Sequence, residues 1–209
     1  MTVLRVCFIG DSITNGTGDT AFLGWPGRLC AAEVESGHDL TDYNLGIRAD
    51  TSVDVARRWR AECETRLPGE LPCAIVFAFG INDATEEDGV IRVPMADSIA
   101  NARSILSAAK VLHPTLWVGP TPVDETRQPT HTETGQVKDK RNRRTADYNL
   151  AFRALADDIG VPYLDMMSAL INDPGWPALL SDGLHPAADG YEHMATIIGS
   201  WPAWRNLLD

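Results

Sequence analysis

The chain has 209 residues, of which 44% are hydrophobic and 22% are charged, and its formal net charge at pH 7 is −11. This length suits one well-packed domain, so residues 1–209 are predicted to form a single domain. The composition excludes disordered and fibrous proteins. The excess of negative charge argues against nucleic acids and anionic membrane surfaces as partners, because clustered Lys and Arg bind both.

The first ten residues place Arg5 among apolar residues and lead directly into a Gly-Asp-Ser turn. This pattern predicts a strand and not a secretion signal. No apolar run approaches the roughly 20 residues that a bilayer-spanning helix needs. We therefore expect no membrane span and a cytoplasmic location.

Apolar runs and helical periodicity alternate along the chain. The segments 3–9, 40–44, 73–79, 116–119 and 161–164 are predicted strands. Helices are predicted between and after them, from Pro26 to Gly37, from Thr51 with Asp54 as a capping box, from 95 to 109, from 148 to 159, and from Pro186 onward. This alternation predicts a parallel sheet between two helix layers, which is a three-layer α/β/α fold.

Residues 120–138 form one long stretch that is predicted to be irregular and is rich in Thr, Pro and Glu. It follows the fourth strand, at the sheet edge where α/β proteins bind their ligands. Two interpretations stay open, a loop over the active site and a solvated loop without function. His131 lies in this stretch and is expected to be exposed.

The four cysteines Cys7, Cys30, Cys63 and Cys73 show no C-x-x-C spacing and fall in predicted strands or on apolar helix faces. They are predicted to be reduced thiols packed as small hydrophobic residues. Neither a disulfide framework nor a metal site is expected.

A first candidate site lies where the first strand ends, at Gly10, Asp11 and Ser12. In a parallel sheet this turn is at the carboxyl end of the strand, where the Ser12 hydroxyl can project into the ligand crevice. The same residue types also favour turns for local hydrogen-bonding reasons. Asp11 is expected to make a structural hydrogen bond and to point away from the nucleophile.

A second candidate site is the segment 181–186, which contains Asp182 and His185. Pro186 suits the first position of a helix, which would make His185 its cap. A carboxylate three residues earlier can approach the imidazole, fix its tautomer and stabilise the imidazolium. His185 is therefore the predicted base for Ser12, with Asp182 orienting it.

Acyl transfer also needs hydrogen-bond donors for the developing oxyanion. Two loops at the same sheet edge can supply them, one with Gly46 and one with Asn82. The Gly46 backbone N–H, the Asn82 amide and the Ser12 N–H are the three predicted donors. Ordinary turn chemistry is the alternative for Gly46 and Asn82, and Asp83 is expected to stabilise its turn.

Four blocks of this chain, Gly10-Asp11-Ser12, Asn44-Leu45-Gly46, Gly80-Ile81-Asn82-Asp83 and Asp182-Gly183-Leu184-His185-Pro186, resemble the SGNH (GDSL-type) hydrolases in order and content. They extend over nearly the whole chain. The resemblance implies a flavodoxin-like fold with five parallel strands in the order 2-1-3-4-5. It also implies the roles given above for Ser12, Asp182, His185, Gly46 and Asn82, no cofactor, and ester or thioester substrates.

The predicted reaction is hydrolysis of short-chain esters through an acyl-enzyme on Ser12, because no strongly apolar segment is available to cover a lipid tail. An acyltransferase with the same triad is one alternative. A flavodoxin-like FMN-binding module is another, since the loop from Ser12 to Gly18 resembles a phosphate loop, but it does not explain Asp182 and His185.

Further residues are candidates for the substrate cleft because they follow predicted strand ends or belong to the long loop: Trp25, Arg48 and Arg127. For each of them a solvent or core position is the alternative. The basic run 138–144 is expected to be a solvated face, with recognition of an acidic group on the substrate as the competing interpretation. The small-molecule ester is the only partner predicted, and the oligomeric state is left open.

Overall fold

The elements follow one another as strands separated mostly by helices, in a computed structural model that describes residues 1–132 and 134–209. In chain order they are β1 (Val3–Gly10), α1 (Ser12–Asn15), α2 (Gly24–Glu35), β2 (Asp39–Gly46), α3 (Ser52–Arg66), β3 (Cys73–Ala78), β4 (Glu86–Glu87), β5 (Val90–Ile91), α4 (Met95–Leu112), β6 (Thr115–Val118), β7 (Thr130–His131), β8 (Val137–Asp139), α5 (Asn142–Ile159), β9 (Tyr163–Leu164), α6 (Met166–Leu170), α7 (Ala188–Ser200) and α8 (Pro202–Arg205). Short 3-10 turns lie at Glu125–Arg127 and Trp176–Leu179.

The central sheet has five parallel strands in the order β2-β1-β3-β6-β9. Numbered among themselves, these strands follow the order 2-1-3-4-5, so the predicted topology is confirmed. Gly10 at the end of β1 pairs with Gly46 of β2 and with Ala78 of β3. The carboxyl ends of the three strands therefore lie side by side, and the loops that follow them meet at one edge.

Helices cover both faces of the sheet, as the alternation of elements predicts. Along β1, Val6 and Phe8 pack toward one face, where α2, α7 and α8 contribute to the core. Cys7 and Ile9 pack toward the other face, against residues of α3, α4 and α5. Because both sides of β1 are buried, its sequence is almost continuously apolar.

A second, antiparallel sheet in the order β5-β4-β8-β7 is built from very short strands. It includes part of the stretch 120–138, so the prediction that this whole stretch is irregular is wrong. Strands of two or three residues are too short to show the alternation of apolar and polar residues that identifies a strand. The pairing of β4 with β8 attaches the long loop to the segment that follows β3.

Helix starts are the least accurate part of the sequence prediction. Thr51 caps α3 as predicted, with its N–H bonded to the Asp54 carboxylate at 3.0 Å. In contrast, α7 starts at Ala188 with Ala187 as its cap, so the prediction that His185 caps this helix is wrong. The Ser181 N–H donates to the His185 carbonyl at 2.7 Å, and this closed loop holds the chain out of the helix.

The four cysteines are buried and carry free thiols, as predicted. Among the helices in the described part of the chain, none is both long and apolar enough to cross a membrane.

Candidate active site

Ser12 is the first residue of α1, and only Asp11 separates it from Gly10, the last residue of β1. The carboxylate of Asp11 caps this short helix, since it accepts the Ile13 N–H at 2.9 Å. Asp11 therefore makes the structural hydrogen bond expected of it. Its burial raises its pKa to about 6, although the Ile13 N–H and the nearby His185 act in the opposite direction.

Three side chains from distant parts of the sequence form a continuous hydrogen-bonded line. His185 Nε2 lies 2.8 Å from Ser12 Oγ, and His185 Nδ1 lies 2.7 Å from Asp182 Oδ2. Ser12 and His185 are 6% and 8% exposed, whereas the Asp182 side chain is 55% exposed, so the line is buried at the serine and the ring and reaches solvent at the carboxylate. The arrangement allows the imidazole to take a proton from the serine hydroxyl.

The Asp182 carboxylate is held in place by the loop that carries it. Its Oδ1 accepts the N–H groups of Leu184 at 3.0 Å and His185 at 2.7 Å, which leaves Oδ2 to face the ring. Burial acts to raise the pKa of Asp182, but hydrogen bonds from the His185 ring and backbone outweigh it and lower the pKa below its usual range. Asp182 is therefore ionised when His185 becomes charged.

Arg127 braces this loop instead of lining the cleft. Its guanidinium donates to the carbonyls of Leu180 at 3.2 Å and Ser181 at 3.1 Å. The Asp124 N–H adds a bond to the Gly183 carbonyl at 2.9 Å. The prediction that Arg127 contacts substrate is therefore replaced by a structural role, because its donors are used on the backbone beside Asp182.

Asn82 lies beside Ser12 in the cleft and is 5% exposed. Its Nδ2 donates one hydrogen to the Asp50 carbonyl at 2.9 Å, which fixes the amide and leaves its second hydrogen for another acceptor. The Asp50 carboxylate accepts from Arg58 Nε at 2.7 Å. A donor held in this way is preorganised for an oxyanion.

Gly46 does not provide the free donor that its position in the sequence suggests. Its N–H is bonded to Asn44 Oδ1 at 3.1 Å, and it is absent from the residues that line the cleft. A Cβ at Gly46 would lie 2.2 Å from the backbone nitrogen of Asn15. Gly46 is needed for the close approach of β2 to α1, and this corrects the prediction that it is a donor.

Ala49, three residues later, reaches the cleft together with its neighbour Arg48. It has a positive φ of 66°. Its N–H, like that of Ser12, has no hydrogen-bond acceptor among residues 1–132 and 134–209. The sequence carries no signal for this role, because alanine is not the residue expected at positive φ.

Two side chains to which the sequence analysis gave no role tie the end of β2 to β1 and to α1. Arg58 of α3 donates to the Gly10 carbonyl at 2.9 Å and to the Leu45 carbonyl at 2.8 Å. Asn44 Nδ2 donates to the Thr14 carbonyl at 2.8 Å. Their contacts are made across elements, so local sequence patterns do not reveal them.

Asp83 links two helices next to the site. It is fully buried, accepts the Ser52 N–H at 2.7 Å and is hydrogen-bonded to the Ser98 hydroxyl. It therefore connects the start of α3 to α4, which extends the turn-stabilising role predicted for it. Burial raises its pKa, and the hydrogen bonds with these two serines oppose the rise.

The hydrogen-bonded line opens into a cleft of about 700 Å³ whose lining residues are mostly polar or charged by type. Besides Ser12, Asp182 and His185 it is lined by Arg48, Ala49, Asn82, Thr130, His131, Thr132, Thr134, Lys138, Lys140 and Leu184. Arg48 thus lies where it was predicted, and the 120–138 stretch forms one wall. Trp25 does not line this cleft: it is fully buried and packs edge-on against Phe8, so that prediction is wrong.

No cluster of three or more His, Cys, Asp or Glu in the described parts of the chain has a metal-binding arrangement.

A sequence profile of the GDSL-like lipase/acylhydrolase family matches residues 8–193. This chain belongs to that family. The match includes Ser12, Asn82, Asp182 and His185, so the hydrogen-bonded line belongs to the part shared with the family. The resemblance to SGNH (GDSL-type) hydrolases stated from the sequence is confirmed.

Solved structures show the same fold across the whole chain. A lipase/acylhydrolase from Enterococcus faecalis is 22% identical, with a TM-score of 0.77 over 98% of this chain and 97% of that one. The acetylxylan esterase Axe2 from Geobacillus stearothermophilus is 20% identical, with a TM-score of 0.69 over 95% of each chain. At these identities the likeness establishes the GDSL-family fold.

Curated relatives match a shorter segment. The isoamyl acetate-hydrolyzing esterase 1 homolog of Homo sapiens is 26% identical over 140 residues, 64% of this chain and 56% of the relative. The isoamyl acetate-hydrolyzing esterase of Saccharomyces cerevisiae is 32% identical over 124 residues, 57% of this chain and 51% of the relative. The alignments thus span about half the length of these relatives.

Proposed function

We propose that this protein is a serine esterase that hydrolyses short-chain carboxylic esters or thioesters. The observation that carries the proposal is the line from Ser12 Oγ through the His185 ring to Asp182, with spacings of 2.8 and 2.7 Å. A hydroxyl, an imidazole and a carboxylate in this order are the groups of a Ser-His-Asp triad. An FMN-binding module would not require this line.

The reaction proceeds in two steps. Ser12 Oγ attacks the acyl carbon while His185 Nε2 takes the hydroxyl proton, and the alcohol leaves with that proton. Water then attacks the acyl-enzyme with His185 again as the base, which releases the acid and restores Ser12. Asp182 orients the ring and stabilises its charged form in both steps.

The oxyanion of each tetrahedral intermediate is stabilised by the N–H groups of Ser12 and Ala49 and by Asn82 Nδ2. Support comes from the position of all three residues on the cleft and from the absence of acceptors for the two N–H groups within residues 1–132 and 134–209. Removal of one such donor typically costs about 100- to 1000-fold in kcat. Ala49 here replaces Gly46, whose N–H is occupied.

A short acyl group suits the walls of the cleft. Ala49 and Leu184 are the apolar residues among its lining, and threonines and cations make up most of the rest. A long acyl chain would find few apolar side chains to pack against, so it would gain little binding energy. The names of the relatives point in the same direction, since isoamyl acetate and acetylxylan are both acetate esters.

The test compares p-nitrophenyl acetate, butyrate, octanoate and laurate with the native protein and with Ser12→Ala. We expect kcat/KM to be highest for the short esters and kcat to fall by about 10⁴- to 10⁶-fold in the variant. Ser36→Ala, an exposed serine at the end of α2, is the matched control and should behave as the native protein. Unchanged hydrolysis by Ser12→Ala would refute the triad, and faster turnover of laurate would refute the short-chain preference.

Transfer to an alcohol would use the same triad, but it would require a cleft that keeps water away from the acyl-enzyme. The open, polar cleft favours water as the acceptor. Adding an acceptor alcohol to the same assay measures the partition, and we expect release of free acid to dominate over formation of a new ester.

A further inference from the structure

Lys140 is a buried cation in the wall of the catalytic cleft. It lies between β8 and α5, is 4% exposed and lines the same cleft as Ser12 and His185. In the described chain, residues 1–132 and 134–209, no hydrogen-bond acceptor or carboxylate lies within bonding distance of its Nζ. A buried ammonium without such a partner is costly, because burial removes its hydration without replacing it.

Three neighbouring cations of the basic run differ from Lys140 in this respect, and the fourth, Arg143, is exposed to solvent. Lys138 lies 3.9 Å from the Glu87 carboxylate, Arg141 is paired with Asp139, and Arg144 donates to the carbonyls of Ala84 and Asp139. These side chains are neutralised or used in the fold. Lys140 is therefore available to a molecule that enters the cleft.

The described lining of the cleft also carries an excess of positive charge, although the chain carries a net charge of −11. Arg48 and Lys140 line it as cations without a carboxylate partner among residues 1–132 and 134–209, whereas Lys138 faces Glu87. Asp182 is the only carboxylate among the lining residues in the described chain, and its oxygens are used by His185 and by backbone N–H groups. A local excess of positive charge in an acidic protein attracts anions to that place.

We propose that Lys140 binds a carboxylate on the ester substrate, so that the natural substrate is an ester carrying a negative charge. The inference rests on the proposed ester hydrolysis and names a substrate class for it. Lys140 acts here as a residue for specificity, supported by Arg48 at the mouth of the cleft. Burial lowers the pKa of Lys140 to about 8, with Lys138 and Arg92 adding to the effect and Asp11 and Asp182 opposing it, so the ammonium is charged at neutral pH.

The experiment compares two matched pairs of esters. In the first pair the charge is on the alcohol half, with 4-acetoxybenzoate against its methyl ester. In the second pair the charge is on the acyl half. The mono-4-nitrophenyl ester of adipic acid is compared with the diester in which its free carboxyl is methylated. The quantity measured is the ratio of kcat/KM for the charged ester to kcat/KM for the neutral one. The intrinsic reactivity of each ester is the same for every variant, so it drops out when this ratio is compared between the native protein and a variant.

We expect Lys140→Met to lower this ratio about 10- to 100-fold for at least one pair, as expected for loss of a charge-assisted hydrogen bond. Lys140→Arg should retain most of the preference. Lys138→Met is the matched control, because that lysine lines the same cleft but is paired with Glu87, and it should change the ratio by less than about threefold. Ratios in Lys140→Met equal to those of the native protein for both pairs would overturn the proposal.

A binding measurement separates this proposal from the proposed hydrolysis. Calorimetric titration of 4-acetoxybenzoate into Ser12→Ala, with and without Lys140→Met, reports anion binding without turnover. Weaker binding in the double variant supports the anion site even if the native protein hydrolyses neither pair. If the native protein hydrolyses both pairs, and Ser12→Ala binds 4-acetoxybenzoate equally well with and without Lys140→Met, the proposed ester hydrolysis stands and the anion site at Lys140 is rejected.

Discussion

Asp11 and Asp182 lie close to the same serine and histidine, but their surroundings shift their pKa values in opposite directions. Burial raises the pKa of Asp11 to about 6. Asp182 is also desolvated, but the hydrogen bonds from the His185 ring and from two N–H groups lower its pKa. The carboxylate that contacts the His185 ring thus keeps its charge, whereas Asp11, next to Ser12, has a cap role that a neutral group can also fill.

The shift at Asp11 predicts a pH-dependent cost in stability. The Asp11 carboxyl has a reference pKa of 3.8 and a pKa of about 6 in the folded protein, so the folded state binds its proton more tightly than the unfolded state. The stability that the protonated carboxyl contributes is therefore lost as the pH rises from 3.8 through about 6. Asp11→Asn should therefore gain stability relative to the native protein between pH 4 and pH 7, by up to about 3 kcal/mol, since one pKa unit corresponds to about 1.4 kcal/mol. Urea unfolding at both pH values measures it, and a pH-independent difference would contradict it.

At the scale of elements, the loop after β2 shows two kinds of turn residue with different tasks. Gly46 allows β2 to approach the backbone of α1, while Ala49 takes a positive φ and faces the cleft. Asn44 ties the same strand to α1 through the Thr14 carbonyl. The position of Ser12 therefore depends on the packing between α1 and β2.

Substitutions in this loop should separate the two tasks. In Gly46→Ala the added Cβ would lie 2.2 Å from Asn15 N and 2.7 Å from the Asp11 carbonyl oxygen, so α1 must shift. We expect a loss of about 1–3 kcal/mol in unfolding free energy together with a fall in kcat.

Ala49→Gly is the matched control. Glycine adopts a positive φ without the strain of about 1 kcal/mol that alanine carries there, and the backbone N–H of residue 49 is kept. It should retain kcat and stability. Native activity and stability in Gly46→Ala would contradict the packing role.

At the scale of the molecule, the C-terminal segment completes the helix layer that covers one face of the sheet. Trp204 of α8 is fully buried with its ring 6.2 Å from that of Phe8, and its Nε1 donates to Glu33 at 2.9 Å. The neighbouring Ala203 and Asn206 share a groove with Pro114, just before β6 begins. This end of the sheet lies opposite to the one that carries Ser12 and His185.

Trp204→Ala should therefore separate stability from catalysis. Loss of the buried ring is expected to lower the unfolding free energy by about 3–5 kcal/mol. At temperatures where the variant remains folded, kcat for p-nitrophenyl acetate should equal that of the native protein. Trp204→Phe, which keeps most of the apolar volume, should lose less stability, and a large fall in kcat at full folding would contradict the separation.

The sequence was sufficient for the sheet order, and it picked out the three side chains that the structure brings into hydrogen-bond contact, because their signals are local. The continuous apolar run of β1 reflects burial on both faces, and Ser12, Asp182 and His185 lie in short turns of recognisable composition. A parallel sheet then brings strand ends together whatever the details of packing. The capping box at Thr51 was predictable for the same reason, since its partner Asp54 is three residues away.

The tertiary structure decided the roles that depend on contacts between distant elements. Only the tertiary structure shows that the Gly46 N–H is bonded to Asn44 and that Ala49 reaches the cleft. It also shows that Trp25 packs in the core against Phe8 and that Arg127 donates to the backbone of the loop that carries Asp182. Lys140 belongs to a run of charges that suggests a solvated face, but pairing between β4 and β8 leads the chain back over the cleft and buries it. Burial and the availability of a donor depend on which residues meet in space, and local spacing does not encode that.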